Sequence, residues 1–169
     1  MLEHMVIAWD LDWTLFEPNP DRVRFHDDGT FDLEFWIKGS TFESIIEDKP
    51  LPLMDVFHAY QKAGFRQICM TAREISDAEI ALFKKHNMIF DEILHREGSK
   101  ELDHVLKSKR FQEYLQEKNL IPFQFWDDKQ ENLEVGDRFG FRTFHAGYMN
   151  EKLKSNGFNE IDFSPKDFI

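Results

Sequence analysis

The sequence predicts an α/β fold, a Rossmann-like parallel sheet with helices on both faces, and three observations carry that prediction. Strand-like segments and segments of helical periodicity alternate from residue 5 to about residue 155, as parallel strands joined by crossover helices do. Of 169 residues, 41% are hydrophobic and 15% aromatic, with 18 Phe, which suits one well-filled core and excludes a disordered chain. The apolar runs Val6-Ile7-Ala8-Trp9 and Phe123-Gln124-Phe125-Trp126 each end on paired carboxylates, Asp10 with Asp12 and Asp127 with Asp128. Ligands of open parallel sheets bind beyond the carboxyl ends of the strands.

The elements follow in order. Met5 to Asp10 is the first strand. Pro52 opens a helix with Leu53, Val56, Phe57 and Tyr60 at helical spacing, and Gly64 is placed to end it. Phe65 to Thr71 is the second core strand, and the capping box Ser76-x-x-Glu79 starts a helix running to about His86. A short strand is expected over Ile89 to Leu94, and a long helix from Asp103 to about Lys118, where Val105, Leu106, Phe111, Tyr114 and Leu115 share a face. Phe123 to Trp126 and Phe141 to His145 complete the sheet.

An insertion at about residues 16–50 interrupts the alternation. Arg22 to His26 and Thr30 to Phe35 alternate at period two around Asp27-Asp28-Gly29. A three-residue loop sets Phe25 opposite Phe31, Val23 opposite Leu33, Arg24 opposite Asp32 and Arg22 opposite Glu34. The insertion is therefore expected to be a small β-hairpin cap over the first strand, followed by a short helix near Ser40 to Glu47, with Arg22 and Arg24 on the rim that meets substrate.

Composition limits the partners. A net charge of −11, from 32 acidic and 21 basic residues, repels polyanions and disfavours binding along a duplex. A phosphorylated small molecule or a nucleic-acid end remains open as partner. The single cysteine, Cys69, permits no disulfide framework, and no apolar run reaches the roughly 18 residues that cross a membrane, so a cytoplasmic location is expected. Residues 1–4 read as a cloning remnant before a single domain over residues 5–155, and residues 156–169 as a weakly patterned tail.

The chemistry is carried by residues at strand and helix ends. Asp10 and Asp12, two residues apart on an extended segment, point to one side, and two anions so close call for a cation between them. The spacing points to a Mg²⁺ site and to phosphate chemistry, with the Thr14 hydroxyl two residues further on as a substrate contact. Thr71 and the backbone beside it can hold phosphoryl oxygens, with Arg73 next along. Lys107 can neutralise charge on a transferring group, and Asp127 with Asp128 can complete a hard oxygen shell.

This order resembles the haloacid dehalogenase (HAD) superfamily of phosphohydrolases over roughly residues 5 to 148, in particular the branch containing the 3′-phosphatase domain of bacteriophage polynucleotide kinase. The carrying stretches are Thr71-Ala72-Arg73-Glu74, His95-Arg96-Glu97, Asp103-His104-Val105-Leu106-Lys107 and Phe125-Trp126-Asp127-Asp128. The resemblance implies that Asp10 attacks phosphorus to give an aspartyl-phosphate and that Asp12 is acid and then base. It also implies Mg²⁺ at Asp10, at the backbone carbonyl of Asp12 and at a carboxylate of the Asp127-Asp128 pair, phosphoryl binding by Thr71 and Lys107, and contact of Arg73 with substrate or phosphate. Asp103 lies one helical turn from Lys107 and is expected to orient it. Trp13 stands where the superfamily often has a small residue, and no GxxxxGK[ST] phosphate loop is present.

Competing classes fit less of the pattern. A phosphoacceptor receiver domain uses the same residue types, but its acidic pair precedes the phosphorylated aspartate. A metal-dependent nuclease does not need Thr71 and Lys107, and a catalytically silent relative would not keep the full set. The expected substrate is a nucleotide or nucleic-acid 3′-phosphate, with small phosphorylated metabolites and phosphoprotein as alternatives.

Overall fold

A computed structural model describes residues 2–157. In chain order its elements are β1 (Met5–Trp9), β2 (Phe16–Glu17), α1 (Leu33–Gly39), α2 (Phe42–Ile45), β3 (Lys49–Pro50), α3 (Leu53–Ala63) and β4 (Arg66–Met70). Then come α4 (Asp77–Lys85), β5 (Glu92–Leu94), α5 (Asp103–Lys118), β6 (Ile121–Asp127), α6 (Gln130–Arg138), β7 (Arg142–His145) and α7 (Ala146–Asn156). Five strands form a parallel sheet in the order β5-β4-β1-β6-β7.

The central strand β1 is apolar throughout because both of its faces are covered. Ile7 and Trp9 join Cys69 and Trp126 on the face packed by α3, α4 and α7, whereas Val6 and Ala8 join Ile68, Met70 and Phe125 on the face packed by α5 and α6. The period-two alternation of a strand produces that division. Helix α6 lies directly on the sheet: a Cβ at Gly136 would stand 2.5 Å from the Phe125 ring.

Local signals set the boundaries. Gly64, at φ +82°, ends α3 by donating its N–H to the carbonyls of Tyr60 and Gln61, and both halves of the Ser76/Glu79 capping box form at α4. Helices α6 and α7 were not anticipated from the sequence, because Lys129 and His145 stand at their N-caps in place of the Ser, Thr, Asp or Asn that would mark a helix start. Leu2 to His4, expected to be a remnant, form a 3₁₀ turn; Leu2 packs on the core and the Glu3 carbonyl accepts from Arg66 Nε at 2.9 Å. Of the expected tail, Asn156 closes α7 and residues 158–169 lie outside the described residues. Among the described residues no helix is long and apolar enough to cross a membrane.

The insertion carries a small antiparallel hairpin, but its second arm departs from the expected register. Its base is an antiparallel pair, Phe16 with Pro50 and Glu17 with Lys49. At its tip the anticipated register is present where Phe25 bridges Phe31 and Arg24 pairs with Asp32. The second arm then stops. The Asp32 carboxylate accepts from Phe35 N at 2.9 Å and caps α1, so a strong N-cap overrides the strand pattern beyond it. Leu33 consequently stays exposed, Glu34 pairs with Lys38 instead of Arg22, and Arg22 turns inward. The helix expected near Ser40 to Glu47 is the single turn α2, capped by Thr41.

Candidate active site

The strand ends converge as the parallel topology requires. Asp10 follows β1 directly and is buried; its Oδ2 accepts from Thr14 Oγ1 at 3.3 Å, and its Oδ1 lies 2.9 Å from the Lys107 ammonium. Lys107 reaches in from α5 and also donates to Asp127 Oδ2 at 2.6 Å. Burial alone would favour the neutral amine, but Asp10 and Asp127 outweigh it and hold Lys107 charged. Asp127 is held in turn by Asn132 Nδ2, 3.0 and 3.1 Å from its two oxygens, and by Lys129 N at 2.9 Å.

Carboxylate oxygens of Asp10, Asp127 and Asp128 come within 4.8 Å of one another. Burial, only partly offset by Lys107, pushes the Asp10 carboxyl well above the usual range. Burial and the neighbouring Asp127 push Asp128 up to about 6. Anions crowded in this way match the donor set of a hard divalent cation, whose charge would remove the penalty, so the residues present fit Mg²⁺. Asp127 already accepts four hydrogen bonds, which leaves Asp10 and Asp128 as the better direct ligands.

Asp12 stands apart from that cluster. Arg73 grips its carboxylate with two nitrogens, Nε at 2.8 Å from Oδ2 and Nη2 on Oδ1. The same Nη2 lies 2.8 Å from Asp48 Oδ2, and Asp48 also takes both terminal nitrogens of Arg22, at 2.6 and 2.7 Å. A buried chain Arg22–Asp48–Arg73–Asp12 therefore links the cap to the site. Thr71, buried at the end of β4, accepts from Arg73 N at 3.1 Å, and its own O–H remains able to donate.

Several expected substrate contacts are placed otherwise. Thr14 is fully buried beneath Asp10 and supports it. Arg22 is buried against Asp48 and does not line a rim. Arg24 pairs with Asp32, stacks 4.2 Å over Phe35 and borders an open cleft of about 670 Å³ on the cap that no strand-end carboxylate lines. Asp103 bonds to Arg96 Nη2 at 2.9 Å and Lys129 Nζ at 2.6 Å, and not to Lys107. Two buried carboxylates turn the lysine inward, while nearer cations take Asp103. The reading of the sequence missed Asp48, Asn132 and Asn150, which donates from Nδ2 to the Thr14 carbonyl at 3.0 Å. None belongs to a motif.

Residues 2–162 match the model of the family described as bacteriophage T5 5′-deoxynucleotidase. The chain belongs to this family. Its fold is that of HAD-like hydrolases. A chain of the Pnkp1/Rnl/Hen1 RNA repair complex superposes with a TM-score of 0.62 at 19% identity, over 84% of this chain and 42% of that one. The HAD-like hydrolase SP0104 from Streptococcus pneumoniae gives 0.60 at 15% identity, over 85% and 84% of the two chains. A predicted phosphoglycolate phosphatase from Haemophilus somnus 129pt gives 0.59 at 13%, over 85% and 84%. This T5-nucleotidase-family chain thus spans less than half the length of the repair-complex chain. No curated protein matches the sequence.

Proposed function

We propose that the chain hydrolyses deoxynucleoside 5′-monophosphates with Mg²⁺ and an aspartyl-phosphate on Asp10. The observation that carries this is the Asp10–Lys107–Asp127 arrangement beside Asp128, in a chain whose family is a 5′-deoxynucleotidase. Asp10 and Asp128 would hold the metal, which supplies positive charge to the phosphoryl oxygens. Asp10 attacks phosphorus, the P–O bond to the nucleoside 5′-oxygen breaks, and Asp12 delivers a proton to that oxygen. Water then attacks phosphorus while Asp12 takes its proton, releasing phosphate and restoring the Asp10 carboxylate. Lys107 and the Thr71 hydroxyl bind phosphoryl oxygens, and Arg73 must loosen its grip for Asp12 to exchange a proton.

The expectation of a 3′-phosphate rested on a branch resemblance; membership in a 5′-deoxynucleotidase family favours the 5′ position. A release assay with Mg²⁺ separates them by comparing deoxynucleoside 5′- and 3′-monophosphates, 3′-phosphorylated oligonucleotides and sugar phosphates. The 5′-monophosphates should give the highest kcat/KM. Preference for a 3′-phosphorylated end would overturn the 5′ assignment, and full activity in EDTA would overturn the metal.

A further inference from the structure

Trp13 follows Asp12 in a left-handed conformation, φ +55°. Glycine takes that conformation freely, whereas a bulky side chain is strained in it. The chain nonetheless places an indole there, while the backbone N–H of Trp13 donates to the Phe16 carbonyl at 2.8 Å. The indole meets the cap. Its ring centroid lies 6.2 Å from that of Trp36 at 29° and 6.2 Å from that of Phe31 at 87°, and Phe31 meets Trp36 edge-on at 5.6 Å. Trp9 and Trp126 are wholly buried in the core, but Trp13, Trp36 and Phe31 are each partly open to solvent.

The position of this aromatic wall is informative. Arg22 covers one face of Trp36 at 4.4 Å, and Arg73, which holds Asp12, lies 5.7 Å from the same ring. The wall therefore begins at the residue after Asp12 and rises along the cap. Asp12 gives a proton to the leaving oxygen, so whatever hangs from that oxygen lies on the Asp12–Trp13 side. An indole wall offers stacking, which every nucleobase satisfies and a bare sugar does not.

We propose that Trp13, backed by Trp36 and Phe31, is the platform on which the nucleobase stacks, and hence a specificity-determining residue. The inference rests on the nucleotide reading above. With Arg22 already on Trp36, Trp13 is the ring that meets the base.

The test compares kcat/KM for deoxyadenosine 5′-monophosphate and 2-deoxyribose 5-phosphate, which carry the same ester with and without a base. The wild-type ratio should be about tenfold to a hundredfold in favour of the nucleotide. Trp13→Gly removes the ring and relieves the backbone, so it should fold, and its ratio should fall toward one. Trp13→Phe should keep most of the preference and Trp13→Leu should lose it, a pair that decides the matter if the glycine variant does not fold. If the variants change both substrates alike and the ratio stays, Trp13 only packs the cap and the proposal is overturned. Equal wild-type rates on both substrates overturn the platform while leaving the phosphatase intact; no hydrolysis of either overturns the nucleotide reading and the platform with it.

Discussion

The Lys107 ammonium lies 2.9 Å from Asp10 Oδ1 with both groups buried, so the proposed nucleophile rests in an ion pair at the floor of the site. Asp127 shares the same lysine. Lys107→Met would leave two buried carboxylates without their cation, and breaking a buried pair costs about 3–5 kcal/mol. Calorimetry should show melting roughly 10 °C lower, and phosphate release should fall by about 10²–10³. Wild-type melting would show that the pair carries no stability.

Asp10→Asn should separate activity from stability. The amide is a poor nucleophile, so phosphate release should drop below a few per cent of wild type. Asp10 is also a carboxyl that burial pushes well up, and Lys107 keeps Asp127 as partner after the change. Melting in chelator should therefore be unchanged or higher, as thermal denaturation with EDTA would show.

A pH dependence follows from Asp128, pushed up to about 6 from an ordinary 3.8 by burial and the neighbouring Asp127. A carboxyl raised in the folded state binds its proton more tightly there than in the unfolded chain. Its contribution is full below its ordinary value and is lost as pH rises through about 6. The metal-free protein should thus melt at progressively lower temperature from pH 5 to pH 7, with Asp10 adding in the same direction. Saturating Mg²⁺ should flatten that slope, and Asp128→Asn should reduce it. A metal-free melting temperature that rises over this range would contradict the assignment.

What the sequence disclosed divides along physical lines. The core strands and α3, α4 and α5 were legible because periodicity and caps are local properties, and Asp103–Lys118 matches its expected span. The convergence of Asp10, Lys107 and Asp127 was legible because parallel strands share one functional edge. Partner choice was not. Asp103 sits one turn from Lys107, yet Arg96 and Lys129 are closer to it, and Arg22 looks like a rim residue until Asp48 appears beside it. Competition among charges far apart in sequence decides such pairings, and spacing does not encode it.

Asp48 therefore bears a prediction of its own. It accepts from both Arg22 and Arg73, and Arg73 holds Asp12. Asp48→Asn keeps the shape but removes the charge between two guanidinium groups, so Arg73 should shift against Asp12. kcat/KM should fall by something on the order of 10², because misplaced groups far from the reacting atoms are costly, as steady-state kinetics of the variant would show. An unchanged kcat/KM would show that the chain of ion pairs serves stability alone.

The two-residue ladder of Phe16–Glu17 with Lys49–Pro50 has a thermodynamic consequence. The stretch between those strands shares no ladder with the five-stranded sheet, so it can open and reclose while that sheet keeps every bond, at the cost of withdrawing Ile45 from the core and Asp48 from Arg73. Native-state hydrogen exchange should then resolve two cooperative units. Amides of Phe35 and Trp36 would exchange through a low-energy opening, and those of β1 and β6 only through global unfolding. Because Arg73 divides its bonds between Asp48 and Asp12, each such opening would also release one hold on the acid proposed to serve the leaving group, making turnover sensitive to how often this neck breathes.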